Sequence, residues 1–502
     1  MDKSYNTLKA KLVGIHSHQP IVYMRKDCHI CQSEGYSSQV KLKISNQSNQ
    51  LIAELHVVDN EFFDIGYIGL NKLAFNMLDV TESDVISIAQ ASPISSMSEV
   101  RGKIYNQPFT DQGLKSLIND IKLGRLTDID ISSFITICAG GRLSADEIIW
   151  LTKAMVDSGQ QMSWPTKVVV DKHCIGGIPG NRTTPIVVSI VGSCGLFMPK
   201  TSSRAITSPA GTADAMESIT EVDISLNRMR TVLLEANACL VWGGSVNLSP
   251  ADDILIRVEK ALNIDSDGQL IASVLSKKIA AGSTHVLIDV PVGKTAKVRT
   301  REDAKNLCML MMHVGNELGI KVKTMITNGS TPIGNGIGPT LEIKDVLSVL
   351  ENASDAPNDL KVKSLHLSAK IIEMSGLAKK GNGLKVAVEA LASGQALTKF
   401  KQICRLQGGS KKLKHATFTE NILCETSGVV SEMDNRKIAR LAKLAGAPDV
   451  KTAGLYLHKK TGDQVNIGDL LMTIHAESKG QVLYALDYYK QHKNMIQIGD
   501  LT

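Results

Sequence analysis

Val170-Asp-Lys-His-Cys-Ile-Gly-Gly-Ile-Pro-Gly-Asn-Arg-Thr-Thr184 decides the fold. A short apolar strand, Lys167-Val-Val-Val170, runs into Lys172 and His173. Gly176, Gly177 and Gly180 follow, and Thr183 and Thr184 open an apolar, helix-like run. Strand, glycine turn and helix in this order are the repeating unit of a parallel α/β sheet. The same residues suit an anion. The glycines let backbone amides come close, either threonine can cap the helix, and Lys172 adds a full positive charge. A tight turn without any ligand would use the same glycines; the lysine and the hydroxyls favour an anion.

About twenty residues on, Pro199-Lys-Thr-Ser-Ser-Arg-Ala-Ile-Thr-Ser-Pro-Ala-Gly-Thr-Ala-Asp214 places six hydroxyl residues and two cations before another apparent helix. If the sheet sets both loops at the C-terminal ends of neighbouring strands, they face one crevice, the usual ligand site of open α/β sheets. A solvated Ser/Thr-rich loop is the plainer alternative.

Outward from these loops, strand and helix signals alternate to about residue 350, with strands expected at Val286–Val290 and Ile320–Ile326 and a long helix at Arg301–Leu318. This order favours parallel pairing through crossovers. Alternating segments at Gln39–Ile44 and Leu51–Val58 make residues 1–82 a β-rich N-terminal domain. From Thr81 the pattern turns helical, and Ser144-Ala-Asp-Glu147 forms a capping box ahead of Ile148, Leu151 and Met155, giving a helical domain over 83–163. Residues 164–420 are expected as the α/β domain. Turns and short strands at Gly454–His458 and Asp469–Ile474 make 421–502 a β-rich cap.

The size agrees. At roughly 100 to 200 residues per domain, 502 residues hold about three domains. A hydrophobic share of 43%, a charged share of 21% and a mean hydropathy of zero belong to a globular protein rather than a disordered or membrane one. A net charge of +6 spread over this length is too weak a field for a polynucleotide partner, and aromatics at 4% leave few stacking platforms. The start, Met-Asp-Lys-Ser-Tyr-Asn, has no basic stretch followed by an apolar run, and the uncharged stretch Thr183–Pro199 is too short and too interrupted to span a bilayer. A cytoplasmic location is expected. Nine scattered cysteines suit reduced thiols better than a disulfide framework.

Asp171-Lys-His-Cys-Ile-Gly-Gly, the downstream Thr-Ser-Ser-Arg and Ala-Gly-Thr-Ala-Asp, and Ala272-Ser-Val-Leu-Ser-Lys-Lys278 resemble the thymidine and pyrimidine nucleoside phosphorylase family. The chain is most similar to the branch with an added N-terminal domain, which includes archaeal AMP phosphorylases and bacterial proteins labelled putative thymidine phosphorylases. The resemblance covers nearly the whole chain. It implies an α/β fold with a helical domain, completed by about residues 248–282, beside a mixed α/β domain and β-rich ends. It implies phosphorolysis: inorganic phosphate attacks the anomeric carbon of a nucleoside or nucleoside 5′-monophosphate, the base leaves, and a pentose 1-phosphate forms. Phosphate is a co-substrate, and no metal or other cofactor is implied. The partners implied are small molecules and further copies of the chain, in a homodimer or larger assembly.

On the matched positions, Lys172, Gly177, Thr184, Ser202 and Thr212 would contact phosphate. His173, Ser273 and Lys277 would lie near the base, with Gly177, Ser203, Arg204 and Thr212 also in the nucleoside-binding set. Asp265 in Leu262-Asn-Ile-Asp-Ser266 matches the acid that protonates the leaving base in the AMP-type branch, so Asp265, Lys172 and His173 form the expected catalytic set. Read alone, Asp265 is a cap or turn residue. The departures from the pyrimidine pattern are specific. Cys174 replaces a phosphate-binding serine. Arg204-Ala-Ile-Thr-Ser-Pro209 follows the AMP-type branch and adds the hydroxyls of Thr207 and Ser208. Lys294 and Lys297 stand where the pyrimidine pattern is small, and suit a second anion such as a 5′-phosphate; surface solvation of both is the alternative. Arg257 falls one position out of register with the base-clamping arginine.

Three further signals are weaker. Cys28-His-Ile-Cys31 is a lone C-x-x-C without a second pair at finger spacing. Gly334-Asn-Gly-Ile-Gly338 precedes a helix near Thr340, but Pro339 breaks a dinucleotide fingerprint, and the resemblance implies an active-site loop there. Gly462–Asp469 is similar to a turn of lipoyl-type domains but shows no lysine at a hairpin tip. Two other function classes remain: a phosphoribosyltransferase of related architecture, which would require magnesium, and a non-catalytic nucleotide sensor.

Overall fold

The computed structural model describes residues 6–59, 62–205, 208–264 and 266–500; Thr207 and Asp265 lie outside the described residues. The chain forms two compact units, one of Met1–Arg142 with Arg257–Ser266, the other of Leu143–Ile256 with Asp267–Thr502.

In the first unit six strands close a barrel in the order Thr7–Val13, Tyr67–Asn71, Ile21–Arg25, Gln50–Val58, Lys41–Ser45, Val85–Gln90. Alternate residues such as Leu42, Ile44, Ala53, Leu55, Ile86 and Ile88 fill its interior. The last strand departs from the helical reading that begins at Thr81. Val85–Gln90 pairs antiparallel with both Thr7–Val13 and Lys41–Ser45, so it joins two edges that would otherwise stay open, and the barrel runs past residue 82. Helices Met97–Ile104, Asp111–Lys122 and Asp128–Cys138 follow. Asp128 takes two 2.7 Å hydrogen bonds from the Arg257 guanidinium where the chain returns to this unit.

The second unit opens on helix Ala145–Ser158 with the expected capping box: Ser144 Oγ accepts the Glu147 amide at 3.2 Å, and Glu147 accepts the Ser144 amide at 2.7 Å. Lys321–Asn328, His285–Val292 and Val170–Cys174 then pair in parallel, as do Met198–Ser202 and Ala238–Trp242. A parallel bridge between Val169 and Phe197 sets the two groups edge to edge. The central strand starts at Val170 rather than Lys167, because the Val169 backbone is bonded to Thr284. Helices Thr183–Ser193, Asn358–Met374 and Gln395–Leu406 share one apolar core, and Arg301–Glu317 with Asp267–Ala280 builds another.

Beyond residue 417, strands Gly454–Leu457, Leu470–Ala476 and Phe418–Leu423 form an antiparallel sheet that the earlier Gly336–Ile337 joins at one edge, and a second sheet joins Gln464–Val465, Gly428–Met433 and Ile496–Gly499. This region is less purely β than its sequence suggests. Helices Asn435–Leu444 and Lys479–Gln491 bury Ile438, Leu441 and Ala485 against the strands. Lys451 lies 2.8 Å from Glu217, which also accepts two bonds from Arg204 at 2.7 and 2.8 Å.

Two stability predictions arise here. Gln407 is fully buried; its side chain accepts the Leu240 amide at 2.8 Å and donates to the Leu240 and Glu221 carbonyls at 2.9 and 2.8 Å, covering one edge of strand Ala238–Trp242. Gln407→Ala should lower unfolding free energy by about 3 kcal/mol in urea titration, through three buried bonds left unmade. Hydrogen bonding from Arg204, with Lys451 beside it, pulls Glu217 from 4.5 down to about 2. A carboxylate held below its unfolded pKa stabilises above about 4.5 and loses that contribution as pH falls toward 2. Glu217→Gln should therefore reduce the melting temperature at pH 7 and leave it nearly unchanged at pH 2, as read by calorimetry.

Candidate active site

The strand order makes Val170–Cys174 the point where the chain changes direction across the sheet. Its connection runs to Met198–Ser202 on one side, whereas His285–Val292 lies on the other. Ligands of open α/β sheets bind outside the C-terminal ends of strands at such a point. The two loops expected to share a crevice do leave neighbouring strands there.

The side chains at this end form an unusual concentration of buried charge. Lys172 is 1% exposed, and its Nζ donates to Thr183 Oγ1 at 2.9 Å and Thr184 Oγ1 at 3.4 Å. Asp171 lies 2.8 Å from Lys278 and 3.4 Å from Lys200. Asp289 lies 3.0 Å from Lys363 and accepts from Thr327 Oγ1 at 2.6 Å. Four buried lysines thus surround two buried aspartates. Burial lowers Lys172 and pushes Lys200 well below its ordinary value, with Asp289 and Asp171 respectively opposing the shift. Burial also drives His173 well below 6.5, assisted by Lys278, Lys200, Lys277 and Lys172. An imidazole in this field stays neutral, and an anion entering it would hold the lysines charged.

The glycine turn has a steric reason. Gly177 sits at φ +87°, and a Cβ there would stand 2.3 Å from the Lys297 amide nitrogen; at Gly180, φ +68°, it would meet the Ile333 carbonyl oxygen at 2.3 Å. Thr183 and Thr184 do not cap the following helix as expected. Arg182 occupies the cap position, and both hydroxyls turn to Lys172 instead.

Arg182, which carried no role in the sequence reading, ties the two loops together. Its guanidinium donates to Thr212 Oγ1 at 2.7 Å, to the Ala210 carbonyl at 2.8 Å and to Glu342 at 2.7 Å. Burial pushes Glu342 up to about 7, against the pull of Arg182. In the second loop Asp214 accepts the amides of Ala205 and Gly211 at 2.6 and 2.9 Å. Arg204 lies over the Trp242 ring, 4.9 Å from its centre, and pairs with Glu217. Ser202 donates to the Val241 carbonyl at 3.2 Å and Ser208 to the Ala210 carbonyl at 3.0 Å, while Ser203 is exposed.

Ser273 and Lys277 stand together on helix Asp267–Ala280. The lysine donates to Ser273 Oγ at 3.1 Å, and both reach Asp252, the serine at 3.0 Å and the lysine in a very short contact. Asp252, another residue the sequence reading passed over, is 1% exposed and fixes both. The same helix sends Lys278 to Asp171, so it links the Ser273 side of the site to the central strand. Lys294 and Lys297 do not form a pair of free cations. Lys294 is 78% exposed and bonds Glu432 at 3.0 and 3.2 Å, and Lys297 packs its backbone against Gly177. Arg257 is held by Asp128.

Three family models match the chain: a glycosyl transferase family helical bundle domain at residues 100–159, a glycosyl transferase family a/b domain at 166–397, and a pyrimidine nucleoside phosphorylase C-terminal domain at 429–495. A putative thymidine phosphorylase of Legionella pneumophila is 49% identical over 99% of this chain and 96% of its own length, and one of Hahella chejuensis is 47% identical over 99% of both. Among solved structures, anthranilate phosphoribosyltransferases share the fold at 15% identity. The Thermus thermophilus enzyme has a TM-score of 0.53, covering 62% of this chain and 99% of its own; that of Saccharomyces cerevisiae has 0.50, covering 63% and 98%. Near-complete coverage by these relatives, with all three models in order, means that the chain belongs to the pyrimidine nucleoside phosphorylase family of glycosyltransferase-type enzymes.

Proposed function

We propose that the chain cleaves the N-glycosidic bond of a nucleoside with inorganic phosphate, releasing the free base and a pentose 1-phosphate. The observation that carries this reading is the excess of buried lysine over aspartate at the end of the central strand, opened by a glycine turn. A phosphate dianion supplies the missing negative charge, and a site already shaped for it spends little on reorganisation.

In this reading Lys172, Thr184, Ser202 and Thr212 hold the phosphate with the amides at Gly177. Arg182 keeps Thr212 in place. Ser273 and Lys277, aligned by Asp252, take the nucleoside with neutral His173, and Asp265 supplies the proton to the departing base on the strength of the family match. The work of the protein is to bring phosphate and anomeric carbon into line and to neutralise charge as the bond breaks. Pyrimidine nucleosides of the thymidine type are the first substrate class, supported by the names of the relatives. A nucleoside 5′-monophosphate such as AMP is the second, favoured by the pairing of Arg257, the residue nearest the pyrimidine base clamp in register, with Asp128.

The test is incubation with thymidine or AMP, with and without inorganic phosphate, followed by chromatography of base and sugar phosphate. Phosphate-dependent thymine or adenine is expected; magnesium-dependent consumption of a pyrophosphorylated sugar would instead favour a phosphoribosyltransferase, and binding without turnover a sensor. Lys172→Ala should raise the KM for phosphate by about 100-fold, the worth of one strong hydrogen bond to a charged group. Wild-type phosphate kinetics in that variant would overturn the assignment. Asp265→Asn should lower kcat with little change in KM, since a proton donor acts in the transition state.

A further inference from the structure

One buried carboxylate ties together three loops around the central strand. Glu342 is 1% exposed and stands in the first turn of helix Pro339–Leu350. Two nitrogens of the Arg182 guanidinium converge on its Oε2, each at 2.7 Å, and its Oε1 accepts the Gly338 amide at 3.1 Å. From that anchor Arg182 reaches the second loop, donating to Thr212 Oγ1 at 2.7 Å and to the Ala210 carbonyl at 2.8 Å. The glycine turn is fastened to the same stretch, since Asn181 donates its amide to the Ile333 carbonyl at 2.7 Å. The anchor is itself held from behind. Gly336 and Ile337 pair with Tyr456 and Leu455, and the Thr340 amide donates to the Lys451 carbonyl at 3.0 Å. A Cβ on Gly338, at φ +123°, would stand 2.3 Å from the Ala453 carbonyl oxygen, so the backbone that carries Glu342 lies directly against this edge.

We propose that, within the phosphorolytic reading above, on which this rests, Glu342 is a positioning residue for phosphate, acting through Arg182 on Thr212. A threonine hydroxyl accepts and donates at once. Because Thr212 Oγ1 accepts from the guanidinium, its own hydrogen is directed elsewhere, and the acceptor that a bound phosphate presents is a phosphate oxygen. The positive charge behind the hydroxyl strengthens that donation. Arg182 keeps this aim only while its other edge is fixed, and Glu342 fixes it. A stability role alone does not account for the pair, since apolar residues of similar volume commonly stabilise a protein as well as a buried ion pair does. What apolar residues cannot supply is direction, and direction is what a hydroxyl facing an anion requires.

The test uses the full-length chain at about pH 8, above the value of about 7 to which burial pushes Glu342, with inorganic phosphate and the nucleoside or nucleotide that the chain cleaves varied separately. In the double variant Arg182→Met, Glu342→Leu both charges go together, so no unpaired charge is left buried and the melting temperature should stay close to that of the wild type. Its KM for phosphate should rise about ten-fold, the loss of one well-aimed hydrogen bond to an anion, while the KM for the other substrate stays within about two-fold. Glu342→Gln should raise the phosphate KM by a smaller factor, because a carboxamide has one acceptor oxygen where the carboxylate has two. Thr212→Val should raise it in the wild-type background and add almost nothing in the double variant, since the two changes act on one hydroxyl. A wild-type phosphate KM in the folded double variant would overturn the proposal, as would a Thr212→Val effect of equal size in both backgrounds. A phosphate KM lowered by Glu342→Gln would also count against it, by showing that the carboxylate withholds Arg182 from the anion. If the double variant fails to fold, Glu342→Gln and Thr212→Val, alone and combined, close the same cycle. Absence of phosphate-dependent cleavage in the wild type would remove the phosphorolytic reading itself, an outcome distinct from any of these.

Discussion

The site depends on an imbalance: Lys172, Lys200, Lys278 and Lys363 are buried around Asp171 and Asp289. Burying a charge without a partner is expensive, and a protein ordinarily avoids it by pairing charges or by neutralising a group. Here pairing goes only part of the way, and Lys172 and Lys200 are pushed toward their neutral forms. The arrangement persists because the sheet holds it. Asp171 and Asp289 sit opposite Val286 and Cys174 in the ladder, so their positions are set by strand register, and the lysines arrive from separate elements. An anion entering at this end would offset that cost, which is a physical basis for the phosphate affinity proposed above.

The second loop is as constrained as the first. Asp214 gathers the amides of Ala205 and Gly211, Arg204 is stacked on Trp242 and paired with Glu217, and Arg182 crosses from one loop to hold Thr212 and Ala210 in the other. A hydroxyl already fixed by a guanidinium has little rotational freedom left to lose on meeting a ligand, which suits Thr212 to the phosphate contact proposed for it. Lys451 extends the restraint to the C-terminal sheets, so that region acts on the geometry of the loop through Glu217.

Much of this was legible in the chain. The glycine turn, the lysine at the strand end and the capping box at Ser144 follow from local rules, since each depends on residues a few positions apart, and the parallel order of strands follows from the alternation of strand and helix signals. Arg182 and Asp252 were not legible. Arg182 finds its partners 28, 30 and 160 positions away, and Asp252 meets Ser273 and Lys277 21 and 25 positions later. A hint existed in each case: a cation placed between a glycine turn and two threonines, and a carboxylate in the first turn of a helix that the fold then buries. The sixth barrel strand was missed for a different reason. Ile86 and Ile88 are only two inward residues, too few to declare a period of two, and the strand exists because the barrel must close.

Cys174 shows how the site accommodates a weaker group. A serine in its place would offer a phosphate a strong hydroxyl, and a thiol is a poor donor. A thiolate would be worse, since it would repel the incoming anion. Burial, reinforced by Asp289, raises Cys174 and keeps it protonated, and Asn181 donates to its sulfur at 3.4 Å. The neutral thiol therefore costs the site a hydrogen bond without adding a charge. Thr183, turned inward by the same helix start that leaves Arg182 at the cap, puts a second hydroxyl on Lys172 beside Thr184. The charge excess of the buried lysines is left intact, and on that excess the proposed phosphate site rests.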